Sequence, residues 1–241
     1  MNGERKIILF LDFDGTLSPI AKDPSDAILP PNVKLWLQNL SKKDNVRIGI
    51  VTGRALSDIK RKVGLKNIVY AANHGMEVFY NGKYLLRKGC AYKRPLQMLA
   101  KELIGSLSDI SGVVVESKGL SVAVHYRKVN TKLRATVKKI VKKLATPCMK
   151  KYNLQLTTGK MVLEIRPAKL WNKGKAVLWM WKKLGRRYMP VYVGDDITDE
   201  DAFKALRPYG ITIRTGRRKD SHAEYFVKSI KNIVGVMAMF H

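Results

Sequence analysis

The 241-residue chain has only two cysteines, Cys90 and Cys148, each without CxxC spacing or metal-ligating neighbours. That excludes a disulfide framework and a Cys/His zinc site, and it fits a reducing compartment. Long apolar runs are missing as well: the hydrophobic stretches are strand-length, short of the roughly 20 residues of a membrane-spanning helix. The N-terminus enters a strand within a few residues and shows no signal-type apolar region, so a soluble cytoplasmic protein with no membrane partner is expected. Acid is scarce: 19 Asp and Glu face 46 Lys and Arg, a formal net charge of +27. There is no internal repeat and no low-complexity linker.

What is present is enough apolar content (46%) for a packed interior. Such a basic excess is the usual first sign of a nucleic-acid partner, but its distribution argues against one. In "NTKLRATVKKIVKKLATP", Leu133, Val137, Ile140, Val141 and Leu144 recur at helical spacing. Arg134, Lys138, Lys139, Lys142 and Lys143 fall off that stripe, as on a solvated helix face. The remaining excess is spread along the chain, with no RGG tract or aromatic-rich RNA-binding motif. An anionic small substrate gains from the same field.

Strand and helix patterns alternate at the start. "KIILFLDF", "VRIGIVTGR" and "NIVYAANHG" are β-rich runs, and "PPNVKLWLQNLSKK" and "ALSDIKRKVG" between them are helical. A βαβαβ unit implies a parallel sheet covered on both faces, with ligands beyond the carboxyl ends of its strands. Those ends carry Asp12 and Asp14, Thr52 and Arg54, Asn73 and His74. From about residue 92 the order becomes helix, two strands around Lys118-Gly119, basic helix, and two strands around Thr158-Gly159. After Pro167 the α/β rhythm returns and ends on "ITIRTG" as a last strand. The expected fold class is α/β: a Rossmann-like parallel-sheet core, 1–91 and 168–241, with an α+β cap inserted at 92–167.

Against the overall charge, two acidic clusters stand out. Asp12 and Asp14 follow the first strand in "LDFDGTLSPI". In "VGDDITDED", Asp195, Asp196, Asp199, Glu200 and Asp201 place five of the 19 acids within seven positions. Carboxylates this close repel, and a divalent cation relieves them; oxygen-only ligands point to Mg²⁺. Glu200 and Asp201 are read as ordinary acids of a helix N-terminus. A metal beside a carboxylate points to phosphoryl transfer, with an aspartate as nucleophile. Thr52 offers a hydroxyl for a phosphoryl oxygen, together with neighbouring amides. Lys173 in "NKG" opens a helix, where the dipole disfavours a cation unless something anionic faces it.

DxDGT at 12–16, Thr52, Lys173 and GDDxTD at 194–199 occur in the order of the haloacid dehalogenase superfamily of phosphatases, which the chain resembles over nearly its whole length. Within it, "TGR", "NHG", "ExKxxSxxxHYR" at 116–127, "LEIRP" at 163–167 and "GDDITDEDAF" resemble the trehalose-6-phosphate phosphatases, whose α+β cap is inserted where this chain's rhythm breaks. The resemblance implies Mg²⁺-dependent hydrolysis of a sugar phosphate through an aspartyl-phosphate. Asp12 would attack phosphorus, and Asp14 would act as acid and then base, with a pKa raised by shielding from water. Asp12, the Asp14 main-chain carbonyl and Asp195 would bind the metal. Asp199 would support the metal shell or Lys173. Gly15 would let the backbone approach the phosphate. Arg54 and His74 on the core, and Glu116, Lys118, Glu164 and Arg166 on the cap, are the substrate-binding candidates. Sucrose phosphate or mannosylglycerate phosphate as substrate, a phosphomutase-like reaction, and a basic nucleic-acid-binding protein that has kept the fold without the chemistry are the competing readings.

Overall fold

The computed structural model describes residues 5–21, 23–168 and 171–229; the rest of the expected core, 1–4, 22, 169–170 and 230–241, lies outside the described residues. Two compact units make up the chain. The first combines the stretch up to Arg87 with that from Asn172 onward, and the second is Lys88–Trp171.

The first unit is built on strands β1 (Ile7–Leu11), β2 (Val46–Val51), β3 (Val69–Ala72), β4 (Glu77–Tyr80) and β5 (Lys83–Arg87), with helices α1 (Pro31–Leu40) and α2 (Leu56–Val63) as crossovers. Every residue of β1 is buried, as in a central strand covered on both faces. A proline in the first turn starts α1, which buries Val33, Leu37 and Leu40. Gly64, in the left-handed region at φ 70°, ends α2 by returning its N–H to the Lys60 carbonyl. β4 and β5 form an antiparallel hairpin that the sequence reading above does not include. Its signal is Asn81-Gly82, both at positive φ, the pair a two-residue type I′ turn demands.

The second unit contains α3 (Lys93–Leu107), β6 (Val114–Ser117), β7 (Val122–His125), α4 (Arg134–Tyr152), β8 (Leu154–Gly159) and β9 (Val162–Pro167). Its strands form a wholly antiparallel sheet in the order β6-β7-β9-β8. Leu96, Leu99 and Leu103 of α3 and Val137 and Val141 of α4 pack with Val122, Val124, Leu163 and Ile165, so the helices cover one sheet face. Two expectations are corrected here. The β8–β9 turn lies at Lys160-Met161, with Thr158 and Gly159 paired to Leu163 and Val162 and Met161 at positive φ (64°). The apolar stripe of α4 starts at Val137: Leu133 precedes the helix and is exposed.

The first unit resumes with α5 (Lys173–Leu184), β10 (Met189–Gly194), α6 (Ile197–Leu206), β11 (Ile211–Thr215) and β12 (Tyr225–Val227). The last strand adds to the expected set. Its sheet runs β12-β11-β10-β1-β2-β3-β4-β5, parallel except for the β4–β5 end. The chain leaves β1 toward β2 on one side and β10 toward β11 on the other. The sheet's topological switch point therefore lies between β1 and β10, where open α/β sheets bind ligands. Among the described residues no helix is long and apolar enough to cross a membrane.

Candidate active site

Leu11 of β1 pairs in register with Val193 of β10, so both strands end at the same level of the switch point. Asp12 follows the first, its N–H bonded to the Val193 carbonyl at 2.9 Å, and Asp195 follows the second. Gly15, at φ 86°, makes the approach possible: a Cβ there would lie 2.2 Å from Asp195 Oδ2. What this glycine accommodates is Asp195, the aspartate after β10. Thr16 Oγ1 donates to Asp195 Oδ1 at 3.3 Å.

Lys173 opens α5 behind an Asn172 cap whose side chain accepts from the Lys175 N–H at 2.8 Å. Gly174 lets this end of α5 press on α6, since a Cβ would meet the Asp201 carbonyl at 2.3 Å. The buried ammonium, 3% exposed, donates to Asp12 Oδ1 and to Asp199 Oδ1, each at 2.7 Å. Two carboxylates thus offset the unfavourable position of a cation at a helix N-terminus. Asp199 also accepts from the Tyr192 hydroxyl on Oδ1 at 2.5 Å, and from the Asp195 and Asp196 N–H groups on Oδ2 at 3.0 and 2.9 Å. Those four bonds fill a carboxylate's roughly four acceptor positions.

Ligand oxygens of Asp12, Asp195 and Asp199 lie within 4.8 Å of one another. Three carboxylates there face one ammonium, a local excess of negative charge. Burial pushes the Asp12 carboxyl well above the usual range, Asp199 and Asp195 add to the shift, and Lys173 opposes it. Burial alone would lower the Lys173 pKa, but Asp12 and Asp199 raise it, so the amine stays protonated.

Thr52 follows β2 and is 1% exposed; its Oγ1 accepts the Arg54 N–H at 3.1 Å. One of the amides expected to face a phosphoryl oxygen is therefore used internally, while the threonine hydroxyl proton remains to be donated. The turn after β3 is zipped to this one by His74 N–H to the Thr52 carbonyl (2.8 Å) and Asn73 N–H to the Arg54 carbonyl (2.9 Å). Asn73 and His74 both have positive φ, a strain that clusters at functional sites. The His74 ring lies over Gly53, where a Cβ would meet it at 2.8 Å.

Asp14 departs from expectation. Its side chain is 44% exposed rather than shielded, and both oxygens are gripped by Arg54, Nε to Oδ2 at 2.7 Å and NH2 to Oδ1 at 2.6 Å. Arg54, a substrate-binding candidate in the sequence, spends its donors inside the protein: it also reaches Asp58 Oδ2 (2.7 Å) and the Pro24 carbonyl (2.8 Å). Burial disfavours the cation, yet the two carboxylates raise its pKa.

The second unit collects its own candidates. Ala123 of β7 pairs with both Glu116 and Glu164, which places the two carboxylates in one row across the face opposite the helices. Glu164 accepts from Ser121 Oγ at 2.8 Å and Lys118 Nζ at 3.4 Å, and Glu116 bonds His125 Nε2 at 3.1 Å. Arg166 is two residues from Glu164 on the same strand face, and its buried Nε has no hydrogen-bond partner among the described residues.

Several contributors escaped the sequence reading. Glu200, in the first turn of α6, accepts from Arg214 NH1 (2.8 Å), Ser221 Oγ (2.9 Å) and the His222 N–H (2.8 Å), and so does more than offset a helix dipole. Arg214 in turn donates to the Asp195 and Asp196 carbonyls and so clamps the acidic loop. Tyr192 and Asp58 lacked any motif; only their placement, one on a central strand and one four residues after Arg54, hinted at them.

Comparison with known proteins adds to this geometry. A trehalose-phosphate phosphatase of Mycobacterium bovis is 40% identical over 215 residues, covering 87% of this chain and 54% of its own length. Trehalose-phosphate phosphatase B of Arabidopsis thaliana is 34% identical over 239 residues, covering 92% and 62%. The chain thus spans about half the length of the mycobacterial relative. A crystal structure of a trehalose-6-phosphate phosphatase related protein superposes with a TM-score of 0.83 at 25% identity, covering 96% of each chain. The trehalose-phosphatase family profile matches residues 10–231, and the chain belongs to that family.

Proposed function

We propose that the chain is a Mg²⁺-dependent phosphatase that hydrolyses trehalose 6-phosphate to trehalose and inorganic phosphate. The observation that carries this reading is the buried Asp12 carboxylate, held by Lys173 at 2.7 Å beside Asp195 at the sheet's switch point. Together with the family and the names of its relatives, it favours acyl-phosphate chemistry on a sugar phosphate. The free thiols Cys90 and Cys148 suit a cytoplasmic setting.

The residues fit a divalent cation. Three carboxylates against one ammonium, with Asp12 pushed toward its neutral form, leave a charge deficit that a dication fills, and the donors are all oxygen. The Asp12 side chain, the Asp14 main-chain carbonyl and Asp195 would hold it. Asp199, with its acceptor positions filled, instead keeps Lys173 and the 195–196 backbone in place. Bound there, Mg²⁺ supplies charge stabilisation for the phosphoryl oxygens and keeps the nucleophile ionised.

In this account Asp12 forms the new O–P bond while the P–O bond to the sugar breaks, and Asp14 gives its proton to the leaving sugar oxygen. Asp14 then takes a proton from the water that attacks the aspartyl-phosphate, which releases phosphate and restores Asp12. Lys173 offsets the charge of nucleophile and phosphate, the Thr52 hydroxyl donates to a phosphoryl oxygen, and His74 shapes the turn beside it. Residues 88–171 act as the specificity cap, with Glu116, Lys118, Glu164 and Arg166 bonding sugar hydroxyls. A phosphate-release screen over trehalose 6-phosphate, sucrose phosphate and mannosylglycerate phosphate, each with Mg²⁺ or EDTA, tests the reading. It predicts fastest release from trehalose 6-phosphate and none in EDTA; equal rates on all three would remove the substrate assignment.

A further inference from the structure

Arg54 is the most heavily engaged cation near the strand ends, yet nothing in the proposed chemistry uses it. Its guanidinium forks both oxygens of Asp14, while NH1 is held by Asp58 at 2.7 Å and NH2 also reaches the Pro24 carbonyl. Asp58 sits in the first turn of α2, four residues after Arg54, and its other oxygen accepts from Arg61 at 2.8 Å. The Arg54 side chain is 8% exposed and that of Asp58 19%, whereas Asp14 is 44% exposed. The inner two members are the fixed ones.

Lys62 reinforces the arrangement. From the last turn of α2 it donates to the Ser25 and Ala27 carbonyls, each at 2.8 Å, so the segment around Pro24 is stapled to the same helix. A planar fork transmits orientation only if its plane is fixed. Here the Asp58 carboxylate on NH1 and the Pro24 carbonyl on NH2 fix it, and Phe13 lies under the cation at 5.3 Å.

We infer that Asp58 and Arg54 are positioning residues for Asp14: Asp58 fixes the guanidinium plane, and the guanidinium aims the exposed Asp14 carboxylate at the leaving group. Arg54 then acts through Asp14 and makes no contact with the sugar. This inference rests on the phosphatase reading and on Asp14 as its proton carrier. An aiming defect is felt in the transition state and leaves ground-state binding alone, so it lowers kcat and kcat/KM together with KM unchanged. Loss of a direct substrate contact has the opposite signature, a raised KM.

The test is steady-state hydrolysis of trehalose 6-phosphate in Mg²⁺ by wild type, Asp58→Asn and Asp58→Glu, with folding checked by circular dichroism. Asp58→Asn is expected to lower kcat about tenfold, a fraction of what a general acid contributes, with KM within about twofold. Asp58→Glu, which restores the anion, is expected to recover most of that loss. If Asp58→Asn does not fold, Arg54→Lys carries the same split, because one ammonium cannot fork two oxygens. An unchanged kcat, a raised KM at constant kcat, or no recovery in folded Asp58→Glu overturns the inference. A wild type that releases no phosphate from any sugar phosphate instead overturns the phosphatase reading, and the inference falls with it.

Discussion

At the scale of single residues, the decisive fact is one ammonium serving two buried carboxylates. Lys173→Met would leave Asp12 and Asp199 facing each other without a counter-charge. Breaking a buried pair in this way costs about 3–5 kcal/mol. Denaturant unfolding in EDTA should show that loss, and a variant as stable as wild type would contradict the geometry. Tyr70 makes a separate prediction. Burial, opposed by the Leu65 N–H that donates to its oxygen, pushes the phenol from 10.0 up to about 12. Between those values the unfolded chain has released this proton and the folded chain keeps it. The contribution is thus fully present below pH 10 and is lost as pH rises to about 12. Tyr70→Phe should flatten that limb of a plot of melting temperature against pH, and an identical slope would contradict it. That Asp12, Lys173, Asp195 and Asp199 come together at the strand ends was legible, because each stands in a short motif directly after a strand or at a helix start. Asp58, Tyr192 and Arg214 were not, because any buried or helix-start position can host such residues and only three-dimensional neighbours reveal their work.

At the scale of elements, the acidic loop between β10 and α6 is held from behind by β11. Arg214 bonds the Asp195 and Asp196 carbonyls and Glu200, and Thr215 Oγ1 reaches the Gly15 and Gly194 carbonyls at 3.4 Å. Groups that orient a ligand are worth roughly 10–100-fold in metal affinity. Arg214→Met should therefore weaken Mg²⁺ binding by about tenfold or more in calorimetric titration with the metal alone; equal affinity in the two proteins would show the clamp to be merely structural. Buried parallel strands were legible as apolar runs, and so were the helices between them. The β4–β5 hairpin announced itself in Asn81-Gly82. The β8–β9 turn did not: Thr158-Gly159 has better turn residues than Lys160-Met161, yet the strands stay paired through Gly159 and Val162 and turn one step later. β12, three residues long and partly exposed, had no periodicity to read.

For the whole molecule, the sequence break near residue 92 and the return after Pro167 reflect a chain that leaves one unit, builds a second and comes back. The structure draws those limits at Arg87/Lys88 and Trp171/Asn172. Asp12, Asp195 and Asp199 gather at the switch point and Glu116 and Glu164 share a row on the second unit, against a formal net charge of +27; under the proposed function that basic excess attracts an anionic substrate. The central claim is that Asp12 is the nucleophile of a trehalose 6-phosphate phosphatase. Its most direct test is the time course of inorganic phosphate release from trehalose 6-phosphate in saturating Mg²⁺, comparing wild type with Asp12→Asn. The account predicts multiple turnovers by the wild type and a rate lower by about three orders of magnitude or more in a folded Asp12→Asn. An Asp12→Asn protein that turns over at a rate near wild type would contradict it.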